Sequence, residues 1–258
     1  MFRTYVPRAP LSAFVERFWL CTDAQVARSE RILPSGTIEL VLNLAEDAVR
    51  IDDRRFSGAA FSGTYARSFV IDATQHAAML GVHFRPGGAF PFLGVPAREL
   101  TDAHADLSFL WGPIGRELRE RLCDAATVPE RFGILETALL ARLGRTPHAA
   151  ALEGLAAFRR LRGGASIREV ARATGLSQRR FIDVFRDAVG LTPKLFCRVL
   201  RFQHARQLTG GDWGEIAFAA RYADQAHLIR DFREFASMTP AEYARRMSVD
   251  CMNNHVPL

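Results

Sequence analysis

Residues 166–185 read SIREVARATGLSQRRFIDVF, two short amphipathic runs held apart by Thr-Gly-Leu-Ser. Ser166 with Glu169 three places on has the form of a capping box, and Ser177 stands where a second helix needs its free amides capped. Gly175 supplies the freedom that a left-handed turn residue requires. A helix broken by so short a turn and resumed at a steep angle is a helix-turn-helix. The pattern then returns. With SIREVARATGLSQRRFIDVFRDAVGLTPKLF set beside DWGEIAFAARYADQAHLIRDFREFASMTPAEY, Glu169 falls on Glu215 at an offset of 46, and Phe185 on Phe232 and Thr192 on Thr239 at 47. One residue has been inserted in the second turn. Asp212 and Asp224 take the capping positions, while Val170, Ala171, Leu176, Phe181 and Phe185 are answered by Ile216, Ala217, Tyr222, Leu228 and Phe232. The run LTPKLFCRVLRFQHARQL (191–208) reads as one helix joining the two units. Such a pair can set two second helices about one DNA turn, roughly 34 Å, apart.

Outward from the repeat, the period of the apolar residues changes. IELVLNL (38–44), AVRID (48–52) and MLGVHF (79–84) read as strands punctuated by glycine and proline. From about residue 105 a helical stripe of Leu107, Leu110, Trp111, Ile114, Leu118 and Leu122 follows, interrupted at Gly112-Pro113. A second helix has Pro129 in its first turn, Phe132, Leu135, Leu139 and Leu143 on one face and Gly144 past its end. Thr146-Pro147 opens a third. The expected fold is an α+β two-domain chain: a β-rich, barrel or cupin-like domain over residues 1–104, a helical connector with a role in dimerisation over 105–145, an all-α double helix-turn-helix over 146–248, and a tail from 249 to 258.

A chain of 258 residues, 48% hydrophobic and 24% charged, has the make-up of a folded globular protein. It contains no apolar run long enough for a membrane helix, and MFRTYVPRAPLSAFVERFWL lacks the order of a signal peptide, so a cytoplasmic location is expected. Cys21, Cys123, Cys197 and Cys251 lie far apart with no C-x-x-C spacing, which suggests buried reduced thiols. His76, His83 and His104, spaced by 7 and 21 residues, fit no compact ligand motif, and neither metal nor cofactor is expected. No G-x-S-x-G positions a nucleophile, and Arg85-Pro86-Gly87-Gly88 lacks the Walker spacing and reads as a strand-ending turn more readily than an anion cradle. Catalysis is not expected. The alternatives to a DNA-binding protein are a cupin-like β-barrel enzyme and a protein-interaction scaffold carrying a basic helical repeat.

The charge is unevenly placed. Of the net +6, residues 147–247 hold 17 arginines and lysines against 10 acids, leaving −1 for the rest. Lys194 is the sole lysine. The guanidinium fork suits phosphates and guanine edges better than an ammonium does.

Through "VARATGLSQRRFIDVFRDAVGLTP", "PKLFCRVLRFQHARQL" and "ADQAHLIRDFREFASMTPAEY", residues 147–247 resemble the AraC/XylS-type transcriptional regulators. The N-terminal half is similar to a sensor-type domain found ahead of this module, through "RILPSGTIELVLNL", "GVHFRPGGAFPFLGVPARELTD" and "LWG". The sequence departs from the family pattern at Arg221, which stands where the second turn normally carries glycine; either Arg221 accepts a left-handed conformation or the turn differs locally. The resemblance implies a binder of double-stranded promoter DNA, a homodimer, a small-molecule effector and contact with RNA polymerase. It places the DNA site on Ser177, Gln178, Arg179, Arg180, Ile182, Asp183 and Arg186 in the first unit and on Asp224, Gln225, Ala226, His227, Ile229, Arg230 and Arg233 in the second. Arg179 suits a guanine and Gln225 an adenine, while Ile182, Ala226 and Ile229 can offer only apolar contact to thymine methyls. Asp183 either accepts from a cytosine amine or pairs with Arg179 or Arg186. Arg180, Arg186 and Arg233 suit phosphates. In the N-terminal domain Trp19, Phe56, Phe61, Phe69, Phe84 and Arg85 are the candidate ligand-pocket residues, with plain core as the competing role for the aromatics.

Overall fold

A computed structural model describes residues 1–22, 29–208, 211–247 and 254–258, without the side chain of His76. The strands are β1 (Phe2–Tyr5), β2 (Val15–Thr22), β3 (Ser29–Ile32), β4 (Glu39–Asn43), β5 (Val49–Ile51), β6 (Arg54–Phe56), β7 (Ala59–Ser62), β8 (Phe69–Asp72), β9 (Ala78–Phe84), β10 (His104–Asp106) and β11 (His255–Pro257). They form two antiparallel sheets, ordered β1-β2-β9-β4-β7-β10 and β11-β3-β8-β5-β6. Neither closes on itself, so the β-rich domain is a pair of sheets and not the closed barrel that the sequence left open.

Strand alternation divides the larger sheet's residues between two cores. Phe18, Leu20, Leu40, Leu42, Phe61, Leu80, Val82 and Phe84 point to one face; Trp19, Cys21, Val41, Ala60 and Met79 point to the other, where Ile32, Val49, Ile51, Phe56 and Ile71 of the second sheet meet them. The first face is covered by helices α1 (Phe90–Leu93), α2 (Leu107–Trp111), α3 (Pro113–Asp124) and α4 (Val128–Arg142). Their Phe92, Leu107, Trp111, Leu118, Leu122, Phe132, Leu135 and Leu139 complete that core. The segment expected to serve as a connector is thus a layer of the N-terminal domain, because its apolar stripe needs a sheet face to cover it. Gly112, with φ +62° and ψ −145°, resets the helical phase between α2 and α3 and leaves Ile114 exposed although it sat on the predicted stripe.

The C-terminal half comprises α5 (Ala149–Arg160), α6 (Ile167–Ala173), α7 (Gln178–Val189), α8 (Pro193–Gln207), α9 (Trp213–Ala219), α10 (Gln225–Ala236) and α11 (Pro240–Arg246). One core holds Phe158, Phe181, Phe185, Phe196, Phe202, Phe232 and Phe235, and it also takes in Leu33 from the N-terminal domain and Val256 from the tail. The tail is therefore not a free end: β11 pairs with β3. Among the described residues Cys21, Cys123 and Cys197 form no disulfide, and Cys251 lies outside them. No described helix is long and apolar enough to cross a membrane.

Candidate nucleic-acid interface

Each helix-turn-helix is built from its caps. Ser166 accepts from the Glu169 amide at 3.4 Å, and Asp212 accepts from those of Gly214 and Glu215 at 2.8 and 3.2 Å. After the turns, Ser177 accepts from Arg180 N at 3.3 Å and Asp224 from His227 N at 2.6 Å, so these two predicted site residues spend their side chains on starting α7 and α10. The turns themselves match. Leu176 N donates to Ala171 O at 3.3 Å and Tyr222 N to Ala217 O at 2.8 Å, and the residues before them, Gly175 and Arg221, are both left-handed, at φ +73° and +62°. Arg221 thus accepts the left-handed conformation that glycine takes in the first unit, at a cost of about 1 kcal/mol. The second unit repeats this substitution at its far end, where Ser237 (φ +53°) ends α10 as Gly190 (φ +92°) ends α7. The offset of 47 would have exposed that correspondence in the sequence.

Gln178, Arg179 and Arg180 are exposed on the first turn of α7, as are Gln225 and Ala226 on that of α10, with Arg230 and Arg233 exposed further along. Ile182, Asp183 and Arg186 are half-buried, and the Arg186 Nε is enclosed without a hydrogen-bond partner. His227 meets Tyr222 edge-on at 5.1 Å, and Ile229 packs against the helical core, which limits its reach toward a base. Among the described residues, Asp183 pairs with neither Arg179 nor Arg186, and Arg179, Arg180, Arg230 and Arg233 form no ion pair. Arginines that brace the fold differ. Arg198 on α8 binds the buried Asp231 of α10 at 2.7 Å and Glu234 beside it, and Arg198 also lies over Phe235. The C-terminal end of α7 is tied to the N-terminal domain by Arg98 to Asp187 at 2.6 Å, Thr64 Oγ1 to Val189 O at 3.0 Å and Thr101 Oγ1 to Gly190 O at 2.6 Å. These anchors join residues 89 or more places apart, and no local pattern announces them.

The predicted ligand-pocket residues are divided among several places. Trp19 and Phe69 line a cavity of about 50 Å³ between the sheets, with Glu39, Ser62, Met79 and His255. Phe61 and Phe84 lie on the opposite face of the larger sheet, inside the helix-covered core, because they fall out of phase with Trp19 across the paired strands. Phe56 packs against His104 at 5.7 Å, and Arg85 donates to Ser12 O at 2.9 Å in a loop. Glu39 Oε1 and His83 Nδ1 are 2.5 Å apart. Burial alone would lower the His83 value and raise that of Glu39; the hydrogen bond and opposite charge override it, leaving His83 above the usual imidazole value and Glu39 below the usual carboxylate value. His104, ringed by Phe56, Tyr65 and Phe69, is pushed down to about 3, first by burial and then by Arg54.

Residues 170–246 match a family model described as a helix-turn-helix domain, and residues 3–106 match one described as a domain of unknown function (DUF6597). No curated protein matches the chain in sequence. Among solved structures, wild-type ToxT of Vibrio cholerae with an unsaturated fatty acid bound is similar at 7% identity and TM-score 0.48, covering 91% of this chain and 97% of that one. A second ToxT structure from Vibrio cholerae, solved at 1.65 Å, gives 9% identity and TM-score 0.42 over 95% and 98%. Residues 170–246 are accordingly a helix-turn-helix domain. The chain thus carries a helix-turn-helix domain behind a two-sheet domain of unknown function.

Proposed function

We propose that this chain is a sequence-specific regulator of transcription that reads two successive major grooves with α7 and α10 and responds to a small molecule through its N-terminal domain. The observation that carries the first part is the pairing of two capped, matching units on one core, the first exposing Arg179 and Arg180 on the opening turn of α7 and the second exposing Gln225 there and Arg230 and Arg233 further along α10. Arg179 and Gln225 are the base readers in this reading, and Arg180, Arg186 and Arg233 the phosphate contacts. Selection of bound duplexes from a random pool tests it. Arg179→Ala is expected to cost about 1–3 kcal/mol and to relax preference at one base pair, whereas Arg186→Ala should weaken all sequences alike. An unchanged selected motif for Arg179→Ala would remove Arg179 from the readout set. Self-association through the outer face of α2–α4, where Phe109 is 82% and Ile114 54% exposed, belongs to the same proposal, and sedimentation of Phe109→Ser tests it.

A further inference from the structure

Basic side chains from separate parts of the chain meet where the two helix-turn-helix units join. The loop between α5 and α6 lies directly on α8, since a Cβ at Gly163 would stand 2.4 Å from Cys197 O. From that loop Arg162 Nη1 reaches His204 Nε2 of α8 at 2.5 Å, and Arg201, three residues earlier on α8, faces Gly163 O at 3.5 Å. Arg221 comes from the turn of the second unit. Its guanidinium crosses Gly164, where a Cβ would be 2.9 Å from Arg221 Nη1, and Arg201 lies over the ring of the adjacent Tyr222 at 5.7 Å. Arg162 and Arg221 both act on His204, which burial first and then these two charges hold below the usual imidazole value.

No acid answers this charge. Among the described residues none of Arg162, Arg201, His204 and Arg221 takes part in an ion pair, and Asp231 and Glu234 are taken by Arg198. With Nε2 accepting from Arg162, the His204 proton sits on Nδ1, which is enclosed with no acceptor, and Arg201 Nε is enclosed likewise. The backbone is strained at the same place. Arg162 and Arg221 are left-handed, at φ +48° and +62°, the region that Gly175 occupies in the first unit. Like charges gathered on strained backbone, with buried donors lacking partners, mark a site whose anion comes from outside the chain.

We propose that Arg162, Arg201, His204 and Arg221 form a phosphate site at the junction of the two units. Three guanidinium forks call for more than one negative charge and for several acceptor oxygens on one centre, which a phosphate supplies and a carboxylate does not. The phosphate belongs either to a small phosphorylated molecule or to the backbone of a bound duplex, and the second source rests on the function proposed above. Once filled, the site ties the entrance of the first unit to the turn of the second through α8.

Inorganic pyrophosphate is the probe, titrated into the whole chain at constant ionic strength while the His204 imidazole, assigned with His204→Gln, is followed by NMR. Arg221→Gly and Arg162→Gly each remove one cation and install the residue that a left-handed backbone favours, so the fold is kept. The His204 signal should shift saturably in the unaltered chain. Each glycine variant should weaken binding about tenfold or more, the change that about 1.4 kcal/mol represents, whereas Arg55→Ala, which removes an exposed charge from β6, should leave it unchanged. No saturable shift in the unaltered chain, or equal weakening by Arg55→Ala, would overturn the proposal. Added duplex then separates the sources: displacement of pyrophosphate supports a phosphate site filled by the DNA backbone, and binding beside it supports one filled by a free ligand. If no protein binds duplex, the regulator reading fails and the pyrophosphate titration still decides the site.

Discussion

A single arginine is worth what its surroundings leave it. Arg179 and Arg198 are the same residue type within one repeat, yet Arg198 is committed to Asp231 and Glu234 while Arg179 faces solvent unpaired. Sequence position could rank them only through the family pattern, since composition treats all guanidinium groups alike. His104 shows the opposite situation, a polar ring where the packing wants an apolar one: both ring nitrogens are buried without a hydrogen-bond partner among aromatic neighbours. Its value falls from 6.5 to about 3 on folding. The unfolded chain therefore takes up a proton that the folded one refuses, and acid disfavours folding as pH drops through 6.5, with the full penalty reached near 3. His104→Phe removes that limb. Relative to wild type it should be more stable at pH 5 than at pH 7.5 by about 2 kcal/mol, a difference that urea unfolding at the two pH values would register. A pH-independent difference would mean that His104 titrates normally.

At the scale of elements, capping and turn chemistry made the C-terminal half readable. Ser166, Ser177, Asp212 and Asp224 all cap the helices expected of them, and the chain breaks at Gly175 and Arg221. These are local signals, with partners two or three residues away. Strands were readable as strands, but their assembly was not. Which face Trp19 or Phe61 occupies depends on long-range register, and so the six aromatic and arginine candidates gathered from the N-terminal domain scattered among two cores and a loop. The linker helix α8 held a further function that its sequence did not announce, since Arg198 orients α10 through a carboxylate that is 1% exposed. Removing the cation strands that carboxylate. Arg198→Met is expected to cost about 3 kcal/mol in chemical denaturation and to blunt duplex binding through the second unit first. A variant as stable as wild type would show that Asp231 finds another partner or neutralises at little cost.

For the whole molecule, two quantities follow from how charge and core are distributed. Residues 147–247 hold 17 basic against 10 acidic residues, so under the proposed function affinity for duplex should drop by orders of magnitude between about 50 and 200 mM salt; a flat response would favour a protein partner for the repeat. The continuous packing across the two halves, with Leu33 and Val256 inside the helical core and Phe196 against Gly36, predicts one calorimetric transition, and two well-separated ones would show that the seam is weak. The seam was beyond the reach of sequence patterns because it is written in single apolar residues with no period. It also bears on anyone who would graft this helix-turn-helix domain onto a foreign partner domain. The excised piece would carry a raw hydrophobic scar where Leu33 had been and a last strand parted from β3, and a working chimera would have to dress that wound with polar substitutions before it stayed in solution.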